Sequence, residues 1–236
     1  MRTLDELRSP ESAWPQVQAW IRAAKVSVTV LPTTPAQAES VLLALQVTTR
    51  SPMGALALET GGLVLDGGWL RFLGGGGPTV RADLARWSGL LGSSPLRPPP
   101  HGFQVVAHDV LGGFFALDGG GLGPGDGSVF YFAPDTLEWE SLGFGYSAFL
   151  AASLTDLLPA LYAESRWPGW QVEVAGLSAD QGLSIYPPLW SKEAGAIAKT
   201  SRRPASMIEL WAMEQDLADQ MTDLPDGETV ETKPKA

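Results

Sequence analysis

The chain has 236 residues, 44% of them hydrophobic, with 27 Gly, 19 Pro, nine Trp, no Cys and a formal net charge of −10. This is ample for one buried core, and the glycine and proline favour many turns between short elements over a helical bundle. The composition excludes disulfides, a thiolate nucleophile and Cys-ligated zinc or iron–sulfur centres, and without a basic stripe it argues against duplex nucleic acid as a partner.

The N-terminus carries charge from Arg2 onward and has no apolar core before a small-residue cleavage site, so no secretory signal is expected. Trp14, Val17, Trp20 and Ile21 fall at helical spacing, with Pro15 in a first turn where its missing N–H costs nothing. A second helix opens at Thr34-Pro35-Ala36-Gln37, with Thr34 as N-cap and Gln37 reaching back to it, followed by a stripe of Ala38, Val41, Leu42 and Leu45. Then come three short apolar runs, Ala55–Leu58, Leu63–Leu65 and Trp69–Leu73, split by glycine pairs at 61–62 and 67–68. They predict a three-stranded antiparallel meander.

Residues 74–101 are rich in Gly and Pro and predict a surface excursion with a helical turn at Ala82–Trp87. Strands are expected at Phe103–His108, Phe114–Leu117 and Val129–Ala133, with Leu137–Trp139 as a short extension. Tyr146, Phe149, Leu150, Leu154 and Leu157 make a helical stripe broken near Pro159, and Trp167-Pro168-Gly169-Trp170 opens a short helix. Leu183–Tyr186 predicts a last strand, and Met207, Leu210, Trp211, Glu214 and Leu217 predict a terminal amphipathic helix. From Glu209 onward, eight acids against two lysines account for −6 of the net charge, so the body is only mildly acidic. The stretch 222–236 is polar and expected to be a disordered tail. No window of roughly eighteen apolar residues occurs, which predicts no membrane span and makes a cytoplasmic location the expectation. The expected fold is a single α+β domain over 1–221, with a mostly antiparallel sheet of about six strands and helices at the N-terminus and C-terminus packed around it.

No catalytic constellation emerges. The glycine clusters at 74–77 and 119–127 hold no G-x-G-x-x-G or G-K-[ST] spacing, so they predict turns rather than a phosphate cradle. Asp118, Asp126 and Asp135 border the second cluster at spacings that match no calcium loop. His108 and Asp109 are chain neighbours on a strand and point to opposite faces, which argues against an oriented acid–base pair. Glu138 and Glu140 share one face of an extended segment, with Trp139 turned to the core. The polar loop Thr48-Thr49-Arg50-Ser51-Pro52 could bind an anion or tie a helix end to the sheet. The candidate contact residues are therefore Arg50, Thr49, Glu59, Asp66, Asp135 and Glu138, with no cofactor and no metal expected.

The segments Leu45-Gln46-Val47-Thr48-Thr49-Arg50-Ser51-Pro52-Met53-Gly54, Gly67-Gly68-Trp69-Leu70-Arg71, Gly112-Gly113-Phe114-Phe115, Tyr131-Phe132-Ala133-Pro134-Asp135-Thr136-Leu137-Glu138-Trp139 and Arg166-Trp167-Pro168-Gly169-Trp170 resemble a bacterial family known as domain of unknown function 2625. More distantly, the order strand, glycine loop, aromatic strand, Trp, Phe-Leu helix resembles the SUKH superfamily, with its Smi/Knr-like regulators and toxin-immunity proteins. That second resemblance implies a non-catalytic protein-interaction module, in one version an immunity protein that neutralises a basic toxin. The alternative is a small-ligand-binding protein or enzyme with a site near Arg50, Glu59 and Asp66.

Overall fold

The computed structural model describes residues 1–222. Short caps set the N-terminal helices: Thr3 and Glu6 form a reciprocal capping box on α1 (Leu4–Leu7), and α2 (Trp14–Arg22) carries Pro15 in its first turn and buries Val17. Strand β1 (Val28–Leu31) follows, a strand the sequence pattern did not announce. Helix α3 (Pro35–Leu45) starts as expected at Thr34, whose hydroxyl accepts from the Gln37 N–H; the Gln37 side chain does not complete the expected reciprocal bond.

The run Ala55–Leu58, predicted as a strand, is instead the centre of helix α4 (Pro52–Glu59). Its N-cap is Ser51, whose hydroxyl accepts from the Gly54 N–H at 3.0 Å, and Pro52 takes the first position. A four-residue apolar run carries no period of its own, so burial on all sides made the helix look like a core strand. Glu59 thus ends a helix. The pair Gly61-Gly62 joins that helix to β2 (Gly62–Leu65), while Gly67-Gly68 turns β2 into β3 (Leu70–Leu73), so the meander begins at β1 rather than at residue 55.

The segment 74–101 is a surface excursion only in part. Val80, Ala82, Leu84, Ala85, Trp87 and Leu96 are all buried, and α5 (Leu84–Trp87) is capped by the Asp83 carboxylate, which accepts from the Ala85 and Arg86 N–H groups. Its glycines serve close approach. A Cβ at Gly75 would meet the Ala57 carbonyl, and one at Gly77 the Pro32 carbonyl.

The remaining strands of the sheet are β4 (Phe103–Asp109), β5 (Phe114–Asp118), β6 (Ser128–Ala133) and β7 (Glu138–Gly145). Seven antiparallel strands run in strict chain order, one more than the expected six, with a bulge between Val105 and Ala107. Two cross-strand rows define its faces. Phe72, Ala107, Phe115, Tyr131 and Glu140 lie in one row, and Arg71, His108, Phe114, Phe132 and Trp139 in the other. Helix α6 (Tyr146–Ser153) covers the first face, with Phe149 4.9 Å from Phe72 and 4.7 Å from Phe115 between ring centroids. The chain then breaks at Leu154–Asp156, ahead of α7 (Leu157–Leu161), and Pro159 sits inside that helix rather than breaking it. Proline is tolerated in a first turn because the N–H it lacks has no helical partner there.

After α8 (Trp170–Ala175), the predicted strand β8 (Gln181–Tyr186) pairs with β9 (Ser201–Ser206) in a separate two-stranded sheet. This hairpin is tied to the main sheet by the Leu183 N–H donating to the Val110 carbonyl at 2.8 Å. Helix α9 (Met207–Thr222) closes the second face, its Trp211 edge-on to Phe114 at 4.9 Å. No described helix is long and apolar enough to cross a membrane. Apart from Thr222, the expected disordered tail lies outside the described residues.

Candidate functional site

The residues singled out in the sequence do not converge. Arg50 is mostly exposed and pairs with the exposed Glu11 beside the α3–α4 loop. Thr49 is buried as a brace: its hydroxyl accepts from the Ser9 N–H at 2.8 Å and its backbone carbonyl accepts from Ala13 at 2.7 Å. Thr49 and Glu59 line one shallow hollow of about 480 Å³ with Arg8 and Ser9. Asp66 belongs elsewhere, pairing with Arg166, whose guanidinium lies over Trp69 and Trp170 at 5.0 and 4.7 Å.

Asp135 lies on the rim of a second hollow, of about 500 Å³, with Glu140 and Glu164 around it and Tyr131 and Tyr162 in its floor. Glu138 is exposed at the start of β7, and neither Asp135, Glu138, Glu140 nor Glu164 has an ion-pair partner among the described residues. Beneath the floor both tyrosine hydroxyls donate to Asp109 Oδ2, Tyr131 at 2.8 Å and Tyr162 at 2.7 Å. The other oxygen, Oδ1, accepts from the Leu111 and Gly113 N–H groups at 2.8 Å each. Burial pushes the Asp109 carboxyl above its usual range despite these four bonds. The glycine pair Gly112-Gly113 has a steric cause: a Cβ on Gly113 would strike Asp109 and Tyr131, and one on Gly112 would strike Glu214.

Glu214 is the second carboxyl at this turn, 4% exposed, with Oε2 unpartnered. Burial, then the neighbouring Asp109, pushes it well above the ordinary 4.5. An acid raised on folding binds more protons in the folded state, so its contribution falls as pH rises from about 4.5 toward its folded pKa. Glu214→Gln is therefore expected to gain on the wild type across that window, by up to about 1.4 kcal/mol per pH unit. Urea unfolding of both proteins at pH 5, 6, 7 and 8 checks this; a difference that stays flat with pH would contradict it.

The aspartates of the glycine loop have local tasks. Asp118 accepts from the N–H groups of Gly120, Leu122 and Gly125 at 2.7–3.0 Å, and Asp126 from Ser128 at 2.9 Å, so both organise the loop's backbone. His108 is buried in the second face, stacked on Trp87 at 5.5 Å. Burial, then Arg71, holds its pKa well below 6.5. The backbones of Asp109 and Ala179 approach its nitrogens without completing a hydrogen bond. Its cross-strand neighbour Arg71 donates to the Gln181 carbonyl; burial pulls this guanidinium down to about 10 against the pull of Asp109 and Asp180.

A further concavity lies just outside this Arg71–His108–Trp87 layer. It is a cleft of about 760 Å³ between the 77–95 segment and the β8–β9 hairpin, lined by Gln37, Val80, Arg81, Arg86, Trp87, Asp180, Gln181 and Ile208 among others. Asp180 staples its two sides. One carboxylate oxygen accepts from the Ala82 N–H at 2.9 Å and the other from the Arg81 N–H at 2.9 Å, across 98 and 99 residues of chain. Arg86 rests its Nε on Asp83 Oδ2 at 3.3 Å, whereas the Arg81 guanidinium has no ion pair among the described residues. The volume is that of a pocket for a small molecule, with an apolar wall and a few convergent polar groups.

Sequence reasoning missed this site. Its residues come from four distant segments, and each looked like ordinary surface or turn chemistry. Only the Asp83 cap before Leu84 was a local signal.

A family model described as "Protein of unknown function DUF2625" matches residues 4–210. The uncharacterised protein YbfG of Escherichia coli (strain K12) is 41% identical over 223 residues, covering 94% of this chain and all of that protein. An uncharacterised protein of Haemophilus influenzae is 38% identical over 190 residues, 80% of this chain and 83% of its own length. No solved structure matches the chain.

Proposed function

This chain belongs to the DUF2625 family, and from that premise we propose that it is a ligand-binding protein whose site is the cleft closed by Asp180. The supporting observation is the cleft itself. It combines a volume of about 760 Å³, an apolar wall of Val80, Trp87 and Ile208, and exposed guanidinium groups held on a braced backbone. This moves the small-ligand reading away from Arg50, Glu59 and Asp66, which serve three separate places.

A thermal-shift screen of chemically diverse small molecules, followed by NMR mapping, tests it. A ligand of the folded state stabilises it by about 2.7 kcal/mol at a concentration of 100 Kd. Hits are expected to perturb the amides of Arg81, Ala82, Asp180 and Gln181. No hits, or hits that map only elsewhere, would overturn the reading.

A second reading, a protein-interaction module, is favoured by the hollow rimmed by Asp135, Glu140 and Glu164 over an aromatic floor. Such a rim suits a basic side chain of a partner, and immunity to a basic toxin of the SUKH type would be one version of it. Capture of a partner that is lost at high salt and lost in a triple Asn/Gln variant of those acids would support this reading over the first.

A further inference from the structure

Taking the cleft as a ligand site, the geometry points to a small organic anion as its ligand, with the acidic group taken by Arg81 and an apolar body laid against Val80, Trp87 and Ile208. The inference rests on the reading just given and adds the chemical class.

Charge accounting inside the cleft favours an acceptor group. Asp180 is the one carboxylate among the lining residues, and both its oxygens are already spent on the Arg81 and Ala82 backbone N–H groups. Asp83 is fully buried and spent on the α5 amides and on Arg86 Nε. Arg81 lines the cleft, is exposed and has no ion pair among the described residues, so its side-chain donors are uncommitted. Arg86 uses only Nε, which leaves its terminal nitrogens. Behind the wall, Arg71 adds a third, buried guanidinium. A cationic ligand would meet the guanidiniums of Arg81 and Arg86, with Arg71 behind them, and no free carboxylate among the lining residues to receive it.

The backbone field has the same sign. Gln37 lies in the first turn of the eleven-residue α3, and Ser206 and Ile208 lie at the start of the sixteen-residue α9. At α9 the carboxylate of Glu209 already accepts from the Ser206 N–H and hydroxyl, so of the two helix ends the start of α3 is the one that favours an anion at the cleft. The number of donors limits the ligand's charge. Two exposed guanidiniums and no cradle of loop amides suit one carboxylate or phosphate rather than a polyphosphate chain. Because the protein as a whole is at −10, the attraction must be short-range, through contact rather than steering.

The test uses three molecules with one skeleton: indole-3-acetate, indole-3-acetamide and tryptamine. Calorimetric or NMR titration of the full chain at low salt is expected to rank them in that order, with the acetate about tenfold tighter than the amide. Arg81→Gln keeps the backbone N–H that Asp180 needs. It is expected to weaken the acetate about tenfold while leaving the amide within about twofold. Equal or tighter binding of the amide or amine, an unchanged preference in Arg81→Gln, or no binding by any of the three would overturn the inference. The reading of the cleft as a ligand site falls separately, when the diverse screen places no molecule of any charge at Arg81, Ala82, Asp180 and Gln181.

Discussion

Asp109→Ala is expected to destabilise the protein by about 3–5 kcal/mol, because it strands four buried donors at once: two tyrosine hydroxyls and two backbone N–H groups. Each orphaned donor costs about 1–3 kcal/mol, and relaxation of the tyrosines recovers part of the sum. Tyr162→Phe removes a single donor and leaves Asp109 with three, so a loss of about 1 kcal/mol is expected there. Asp109→Asn keeps the shape and the acceptor facing the turn amides, and falls between the two. Urea unfolding followed by circular dichroism measures all three as shifts in midpoint at constant slope. A loss below about 1 kcal/mol for Asp109→Ala would show that the turn and the two tyrosines hold their places without it.

Trp69→Ala is expected to cost about 4 kcal/mol, within the usual range for emptying a buried aromatic site. Its ring touches Tyr162, Trp167 and Trp170 at centroid distances of 5.4, 5.7 and 4.8 Å, and carries the Arg166 guanidinium on its face. The loss would reach both sides of that contact, since Arg166 also holds Asp66 at the end of β2 and stacks on Trp170. One term runs the other way: the indole Nε1 is buried without a partner, and removing it recovers about 1 kcal/mol. For a chain of this size the net corresponds to a fall of roughly 8–16 °C in Tm. A fall under about 3 °C, with near-ultraviolet circular dichroism unchanged, would mean that the Trp167–Trp170 segment docks independently of Trp69.

Strands with strict alternation or aromatic content were legible, and β4, β5, β6 and β8 fall within two residues of their expected bounds at each end. Helices with a cap and a stripe were legible too, as at Thr34 and Met207. Position 55–58 failed because four buried residues have no period, and the Ser51-Pro52 start signal beside them was assigned to a loop. Strand β1 failed for the opposite reason: Val28-Thr29-Val30-Leu31 is short and half-exposed. In the segment 74–101 the buried part failed because glycine was taken as a sign of exposure, whereas Gly75 and Gly77 pass close to carbonyls inside the fold. The cleft was beyond local reading altogether. Arg81 and Asp180 are joined only by the way β8 returns to the end of β4, and no spacing along the chain encodes that. The acids Glu138 and Glu140 were legible as sharing a face, because β7 alternates, but the hollow beside Glu140 is completed by Asp135, Tyr162 and Glu164 from elsewhere in the chain.

The strict chain order of the seven strands has a consequence during synthesis. Each strand pairs with the one made just before it, so the sheet can grow as the polypeptide leaves the ribosome, at little cost in loop closure. Its first face is covered soon after, because α6 follows β7 directly and brings Phe149 onto Phe115. The second face waits. Phe103, Phe114 and Trp139 meet Trp211 only after some sixty further residues have emerged, so for that interval a completed sheet, covered on this face only around Trp87, shows an aromatic surface to solvent or to a chaperone.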